Sequence, residues 1–313
     1  MTAPRAKART PSIAVRDLIL AAMLPGFAVI AWTIPERHWE RLAKRLVDLR
    51  ERIGMDDAAE GLHIQALTQG TPLASAATQI ARSRLANDYL ERLQLLRVHS
   101  PGGWNAKIRL EGQRHIDRAL AEGRGAILWV ANLSYHRQVT KMALHQAGYR
   151  VCHLSSIIHG FSETRFGMRV LNPIRTSAEL RFLEERLVLE TSGTLTALRE
   201  LMQRLRRNSL ISITASAAAP NAQAVPFLGG LVHLSVGPAK LSAQTKAPIL
   251  PIFALRESDG GFVVEVEPPL VGSVHLRTGT ATSAALERYK SLLESRVRRF
   301  PDQFRWHEVT CAS

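Results

Sequence analysis

The chain has 313 residues, of which 46% are apolar and 22% charged, so it can bury a sizeable core and is not a disordered chain. Its 41 Lys and Arg residues outnumber 27 Asp and Glu residues, which gives a net charge of +14. Such a surface favours an anionic partner, and we rank nucleic acid below an anionic membrane or an acidic carrier protein, because only four Tyr and no nucleic-acid-binding motif are present. Cys152 and Cys311 provide neither a disulfide framework nor a metal site. We therefore expect a reducing, cytosolic environment, no metal and no cofactor.

The N-terminal region combines an apolar segment with basic flanks. Residues 18–34 carry no charge and precede a second basic stretch over residues 35–52. Four basic residues come before the apolar segment: Arg5, Lys7, Arg9 and Arg16. A membrane-spanning helix needs about 20 apolar residues, and this segment is shorter and contains Pro25. We favour a helix pair in or on the cytoplasmic leaflet, with Trp32 and Trp39 as interfacial anchors. A buried helical hairpin bent at the proline is the alternative, and a signal peptide is disfavoured because the small-residue cleavage pattern is missing.

Helices and strands alternate in the rest of the chain. The predicted helices cover residues 72–98, 110–121, 138–148, 177–190, 194–207 and 285–300. The predicted strands cover residues 126–131, 150–155, 209–214, 248–255 and 262–267. This order predicts an α/β fold with a mostly parallel or mixed sheet of at least five strands, flanked by helices. We expect two parts, membrane-associating helices over residues 1–55 and an α/β domain over residues 56–313.

Polar side chains follow the most apolar of these strands. Residues 126–131 (AILWVA) run directly into the turn NLSYHR, residues 132–137. Ligands of open α/β sheets bind beyond the carboxyl ends of strands, so this turn is the first candidate site. Residues 214–221 (TASAAAPN) form a second candidate turn. The sequence contains none of the motifs GxGxxG, GxxxxGK[ST], GxSxG or HExxH, which removes the simplest support for nucleotide binding, serine hydrolysis and zinc proteolysis.

Four segments, in this order and spacing, resemble the lipid A late acyltransferases of the lysophospholipid acyltransferase superfamily. They are RLEGQRHIDRALAEGRGAILWVAN (109–132), VPFLGGLVHLSVGPAKLSAQTKAPILPIF (225–253), LRESDGGFVVEVEPPL (255–270) and RRFPDQFRWH (298–307). The resemblance implies transfer of a fatty acyl chain from an acyl carrier protein or acyl-CoA to a hydroxyl of a lipid A-like or phospholipid acceptor. It also implies a location at the cytoplasmic face of the inner membrane, either peripheral or through a single N-terminal anchor.

The resemblance fails at the catalytic turn itself. The family ends this strand with His, four residues, and Asp or Glu; the imidazole accepts the proton of the acceptor hydroxyl, and the carboxylate orients the ring. Here the two positions hold Asn132 and Arg137, and neither side chain can take those roles near neutral pH. The family's acidic residue near the third strand is also missing, because residues 213–221 contain no carboxylate.

Two interpretations remain open for this turn. In the first, His136 is the base, kept neutral at a helix N-terminus, and Asn132 orients the ring or the acceptor. Ser134 and Tyr135 supply hydrogen bonds, and Arg137 binds a phosphate or phosphopantetheine. In the second, the protein is a catalytically inactive lipid-binding or regulatory protein of the same fold, and Arg137 holds an anion. A serine hydrolase based on Ser134 is disfavoured, because residues two apart at a helix start point in different directions.

Two further candidates lie outside this turn. Residues 159–175 are predicted to form a loop over the sheet, in which Arg165 is the candidate contact to an acceptor phosphate. The same loop contains His159, Ser162, Arg169 and Arg175, and a solvated basic loop is the alternative interpretation. Arg256 follows the predicted strand 248–255 and, by the resemblance, lies at the rim of the active site; an ordinary strand-end charge is the alternative.

Overall fold

A seven-stranded mixed sheet forms the centre of the computed structural model, which describes residues 11–55, 58–156, 159–189, 194–215, 222–270 and 279–311. Arg5, Lys7, Arg9 and most of the second candidate turn lie outside these ranges. The strand order is β1-β9-β8-β2-β5-β3-β4, and every neighbouring pair is parallel except β8 with β9. Its strands are β1 Ile108–Glu111, β2 Ala126–Ala131, β3 Val151–Ser156, β4 Glu185–Leu189, β5 Leu210–Ala215, β8 Ile249–Arg256 and β9 Phe262–Val266. The predicted α/β fold with a mixed sheet is thus confirmed.

Helices cover both faces of this sheet. They are α1 Val15–Thr33, α2 Trp39–Arg52, α3 Ala58–Leu67, α4 Pro72–Ser75, α5 Ala77–Val98, α6 Gln113–Ala121, α7 His136–Gln146, α8 Asn172–Leu180, α9 Thr194–Arg206, α10 Gly237–Thr245 and α11 Gly279–Arg299. The strand β2 is buried at all six positions, as its unbroken apolar run predicts. Leu128 and Val130 point into the apolar layer that contains α5 and α7, whereas Trp129 stacks on Tyr289 of α11 with ring centroids 4.0 Å apart. The centre of the sheet therefore provides a rigid support for the turn that follows β2.

Three sequence predictions about these elements were wrong. The predicted helix 177–190 ends at Leu180, and β4 instead pairs in parallel with β3 at the sheet edge, because Arg-Leu-Val-Leu suits an edge strand once a partner is present. The predicted helix 110–121 begins only at Gln113, after β1 and the left-handed Gly112 (φ 75°), where a Cβ would meet the carbonyl oxygen of Val266. The predicted loop 159–175 becomes a π-helical turn at Gly167 and then α8.

The structure contains a second, three-stranded antiparallel sheet, whose strands were not predicted from the sequence. It consists of β6 Ala222–Phe227, β7 Gly230–Ser235 and β10 Val309–Cys311, in the order β10-β7-β6. The Leu228–Gly229 turn between the first two strands approaches α3, and the N–H of Gly229 donates to the carbonyl oxygen of Leu67 at 2.7 Å. The pairing of β10 with β7 fixes the position of the chain directly after residues 301–308, which cross the large sheet.

The helix α1 lies against α5 and exposes an apolar face. It runs without a break through Pro25, so the alternative of a hairpin bent at this residue was wrong. Its length and composition are those of a membrane-crossing helix, and 22% of its most apolar window is buried inside the structure. Its exposed large apolar residues recur at helical spacing: Val15, Leu18, Ile19, Met23, Val29 and Trp32. Trp39, predicted as an interfacial anchor, is 1% exposed and belongs to the core, so that prediction was wrong.

The start of α1 is tied to the segment that precedes α8. Asp17 is buried, and its carboxylate accepts hydrogen bonds from the N–H of Ala14 at 3.0 Å and from the hydroxyl of Thr164 at 2.6 Å. The N–H of Arg165 donates to the carbonyl oxygen of Pro11 at 3.0 Å. These contacts hold the exposed apolar face of α1 in a fixed orientation relative to the sheet.

Candidate functional site

The carboxyl end of β2 passes through a short turn into α7 at the middle of the large sheet. Residues 301–308, which we call the C-terminal segment, cross this end of the sheet. Leu133 forms an isolated antiparallel bridge with Phe304. The N–H and the hydroxyl of Ser134 both donate to the carbonyl oxygen of Gln303, at 2.8 and 3.1 Å. Ser134 is 1% exposed, so its hydroxyl fixes the turn and is not presented to a ligand.

Tyr135 is also engaged in packing. Its buried hydroxyl donates to the side-chain oxygen of Asn87 at 2.7 Å, and Asn87 in turn donates to the carboxylate of Asp302 at 2.9 Å. Burial raises the pKa of the Tyr135 phenol well above its usual range, so the group stays neutral. This hydrogen-bond chain joins the turn to α5 and to the C-terminal segment.

His136 is the first residue of α7 and is 5% exposed. Its Nδ1 lies 2.5 Å from the carbonyl oxygen of Leu133, and because a carbonyl oxygen can only accept, the proton is assigned to Nδ1. The lone pair then lies on Nε2. Burial, followed by the charges of Arg137 and Arg305, lowers the pKa of His136 well below its usual value. The ring is therefore neutral near pH 7, as the first sequence interpretation requires, and the same shift makes it a weaker base than a solvated histidine.

A small cavity of about 20 Å³, with a mostly apolar lining, lies beneath α7 next to His136. Its polar lining includes His136, Thr140, Lys141, His153, His159 and Ser212. The hydroxyl of Ser212 lies 2.8 Å from Nδ1 of His153. The buried carboxylate of Glu179 binds Nζ of Lys141 at 2.5 Å and Nε2 of His159 at 2.9 Å. The cavity has room for little more than one water-sized group, so it can serve a proton acceptor but cannot hold an acyl chain.

The position that the family gives to its histidine holds an amide paired with a carboxylate. Nδ2 of Asn132 donates to Oε1 of Glu308, in the C-terminal segment. Burial raises the pKa of Glu308 to about 7, against the lowering effects of Asn132 and Arg305. Glu308 was not predicted from the sequence, because it lies 176 residues from Asn132 in the chain and has no motif around it.

Three arginines converge on one carboxylate beside the turn. Oε1 of Glu91 accepts from Arg137 at 3.2 Å and from Arg175 at 3.1 Å, and Oε2 accepts from Arg305 at 3.2 Å. The charges of the three guanidinium groups outweigh the burial and lower the pKa of Glu91 to about 2. We call these four residues the arginine cluster. Arg137 was predicted from the sequence as a site residue and Arg175 as a loop residue, whereas Glu91 and Arg305 were not predicted.

The remaining predicted site residues lie away from the turn or at its edge. Arg165 is exposed on the segment tied to α1, and the structure does not bring it to the carboxyl end of β2. Arg256 ends β8; its backbone exchanges hydrogen bonds of 2.9 and 2.8 Å with the Gln303 side chain, and its guanidinium lies 3.4 Å from Glu40. Arg256 lines a groove of about 340 Å³ that also includes residues of α2 and α5. It is therefore linked to the turn through Gln303, which also binds Ser134.

We expect replacement of Glu308 by Gln to stabilise the protein above neutral pH. The pKa of Glu308 is about 7 in the folded state, against 4.5 as its ordinary value, so the folded state binds the proton more tightly. Its contribution to the unfolding free energy is thus fully present below pH 4.5 and is lost as the pH rises through 7. Since Gln does not ionise and can still accept from Asn132, Glu308→Gln should gain about 1–2 kcal/mol at pH 8.

The test compares unfolding free energies from urea titrations at pH 5 and pH 8. Glu111→Gln is the control, because this carboxylate is 51% exposed and should change little at either pH. If the unfolding free energies of the wild type and of Glu308→Gln depended on pH in the same way, Glu308 would ionise near its ordinary pKa and the prediction would be wrong.

A family model described as "Bacterial lipid A biosynthesis acyltransferase" matches residues 94–308 of the chain. The match covers more than half of the chain and extends from α5 to the end of the C-terminal segment. It therefore includes β2 with its turn, the three arginines of the arginine cluster and Glu308, whereas Glu91 lies just before it. A search of curated proteins gives no match.

Proposed function

Because the chain belongs to the bacterial lipid A biosynthesis acyltransferase family, we propose that it transfers a fatty acyl chain from an acyl carrier thioester to a hydroxyl of a lipid acceptor. The observation that carries this proposal is His136, which is buried and neutral in the turn where the resemblance puts the family's chemistry. Its Nε2 offers the lone pair that the family obtains from the histidine at the position of Asn132.

The proposed reaction needs one proton acceptor and no external oxidant or reductant. Nε2 of His136 accepts the proton of the acceptor hydroxyl as the oxygen attacks the thioester carbonyl. The new C–O bond forms, the C–S bond breaks, and the sulfur takes the proton back from the imidazolium. Burial favours the second of these proton transfers, because a desolvated imidazolium returns its proton readily, and it disfavours the first for the same reason. The hydrogen bond from Nδ1 to Leu133 keeps Nε2 directed away from the backbone.

The proposed site of action is the cytoplasmic face of the inner membrane. The exposed apolar face of α1 and the net charge of +14 support a protein that lies on an anionic bilayer. In this proposal, residues 1–55 are the membrane-associating part, and the α/β domain that follows contains the reaction site. The fixed contact of Asp17 with Thr164 favours a helix that lies on the surface over one that spans the bilayer independently of the domain.

An acyl carrier protein is the donor that we favour. Carrier proteins of this type are acidic, and a basic surface attracts them over distances of about a Debye length, roughly 8–10 Å at physiological salt. Acyl-CoA also offers a thioester and phosphates, so it is the second donor to be tested.

The test combines lipids from cells with a purified reaction. A strain that lacks the gene should lose one acylated lipid in mass spectra, and the wild-type gene should restore it. The purified protein, bound to vesicles that contain lipids from the deletion strain, should then form this lipid with acyl carrier thioester, and more slowly with acyl-CoA. If deletion changes no acyl lipid and neither donor is consumed, the proposal is wrong and the protein binds lipid without turnover.

A further inference from the structure

An amide and a carboxyl group meet at the carboxyl end of β2. Asn132 follows the last residue of this strand, and its Nδ2 donates to Oε1 of Glu308 in the C-terminal segment. Both residues are partly exposed, whereas His136, four residues after Asn132, is only 5% exposed. Ligands of open α/β sheets bind beyond this end of the strands. Glu308 is therefore an acidic group that a molecule bound at the turn can reach.

Glu308 has no cation of its own. In the ranges that the structure describes, it forms no ion pair, because the guanidinium groups of Arg137 and Arg305 bind Glu91 instead. Burial raises the pKa of Glu308 to about 7, against the lowering effects of the bond from Asn132 and of the charges of Arg305 and Arg137. A carboxyl group in this position is neutral up to about pH 7.

A neutral carboxyl group is a hydrogen-bond donor, which a carboxylate is not. Since Nδ2 of Asn132 lies on Oε1, the proton of neutral Glu308 is assigned to Oε2. Oδ1 of Asn132 is buried and has no hydrogen-bond partner among the described residues, so the pair is not a closed structural contact. Burial, and then the charge of Glu308, raises the pKa of Tyr289 on α11 well above its usual range, so this phenol adds no charge. Glu308 thus presents one O–H group at the end of β2.

Glu308 and the proposed base lie near the same guanidinium groups. Arg137 directly follows His136 in the chain, and the charges of Arg137 and Arg305 act on both His136 and Glu308. The turn therefore combines a neutral imidazole with a neutral carboxyl group, one of which accepts a proton and one of which donates a hydrogen bond.

Acyl transfer needs a hydrogen-bond donor that the hydroxyl groups of the turn do not supply. The oxygen of the thioester carbonyl becomes negative when the acceptor hydroxyl attacks, and a donor fixed in advance stabilises this charge. Ser134 donates to Gln303, and Tyr135 donates to Asn87, so both hydroxyl groups are already engaged. The O–H of Glu308 is free of such a contact.

We propose that Glu308, in its protonated form, donates its O–H to the thioester carbonyl oxygen and stabilises the negative charge that develops there. This role rests on the proposed acyl transfer. As the C–O bond forms, an electron pair of the carbonyl moves to its oxygen, which the O–H of Glu308 holds. As the pair returns, the C–S bond breaks, the sulfur takes the proton from His136, and Glu308 keeps its own. Asn132 is a positioning residue, because it binds Oε1 and leaves Oε2 to the substrate.

The test is the pH profile of kcat for the full-length protein, with acyl carrier thioester as donor and vesicles that contain lipids of the deletion strain. Hydrolysis in reactions without protein is subtracted. We expect kcat to be constant between pH 6 and 7 and to fall above pH 7 by about ten-fold per pH unit, since an ionised Glu308 repels the negative oxygen. A kcat that rises through pH 7 would make Glu308 a base, and a flat profile would remove its role; either result would overturn the proposal.

Two substitutions of Glu308 separate a donor from a structural contact. Glu308→Ala should lower kcat at pH 6 by about 10²–10³-fold, the usual loss for one donor to a developing oxyanion. Glu308→Gln keeps an N–H donor that does not ionise, so it should lose less at pH 6 and show no fall above pH 7. Glu111→Gln, at an exposed carboxylate of β1, is the control and should keep the wild-type profile. Glu308 variants that lose activity equally, with the wild-type fall above pH 7, would overturn the proposal.

Asn132→Ala tests the positioning role. The bond from Asn132 lowers the pKa of Glu308, so its removal should move the fall in kcat to higher pH and also lower kcat at pH 6. Circular dichroism and unfolding curves must show that each variant is folded.

The outcomes distinguish this role from the proposed function. A folded Glu308→Ala variant with the kcat of the wild type would refute the role of Glu308 and leave the acyl transfer standing. A wild type that transfers no acyl chain from either donor would refute the proposed function, and the role of Glu308 with it.

Discussion

Replacing His136 by Asn should lower kcat/KM of acyl transfer by about 10²–10⁴-fold, the usual contribution of a general base. The amide N–H of Asn can replace the Nδ1–H that donates to Leu133, whereas no lone pair of useful basicity remains at the position of Nε2. His136→Ala should lose the same activity, with an added loss of packing. Both variants should keep the circular dichroism spectrum and the cooperative unfolding transition of the wild type.

The pH dependence gives an independent measure of the same group. Since the pKa of His136 lies well below 6.5, the rate should stay constant as the pH falls through 6.5 and decline only at lower pH. His307→Ala is the control, because this histidine lies in the C-terminal segment but is exposed, and its loss should change the rate less than two-fold. A His136→Asn variant that retains activity would exclude this residue as the base, and would direct attention to Glu308.

Replacing Glu91 by Gln should destabilise the protein by about 3–5 kcal/mol at pH 7.5, because three guanidinium groups would then lie together without a carboxylate. The pKa of Glu91 is about 2 in the folded state, against an ordinary value of 4.5. Its stabilising contribution is therefore fully present above pH 4.5 and is lost as the pH falls toward 2. Glu91→Gln should remove that part of the acid sensitivity.

Urea unfolding at pH 7.5 and pH 3 measures this effect, with Glu265→Gln as the matched control. Glu265 is a partly buried carboxylate bound to Arg296 at 2.7 Å, but Arg296 also binds Glu267 and so keeps a partner. We expect the control to lose about 1 kcal/mol or less. A loss of similar size in Glu91→Gln would mean that the three arginines are already neutralised by other groups.

The sequence predicted those parts of the fold that follow from local pattern. Six consecutive apolar residues identified β2 as a strand covered on both faces, and the polar residues after it located the turn. It could not predict β4, because a short edge strand forms only when β3 is beside it, and Leu-Val-Leu alone suits a helix equally well. The sequence predicted Trp39 as an interfacial residue, but its position on α2 buries it in the core.

The site itself was predictable only within the turn. His136 follows β2 directly, so its position at a helix start could be read from the chain. Glu91 sits in the middle of α5, where a charged residue between leucines normally faces solvent, and its burial depends on arginines from α7, α8 and the C-terminal segment. Ser134 and Tyr135 were expected to bind a ligand, yet their hydroxyl groups are engaged by Gln303 and Asn87. Such roles depend on tertiary contacts that a single sequence does not display.

The C-terminal segment has a further consequence for the order of folding. Its bonds to the rest of the protein span 169 residues between Ser134 and Gln303, 214 between Glu91 and Arg305, and 215 between Asn87 and Asp302. Each of these contacts can form only after the whole of the intervening chain has been made, and long-range contacts slow folding. In the proposed membrane association, α1 is synthesised before the residues that complete the site. Under the proposed function, attachment to the membrane therefore precedes competence for chemistry.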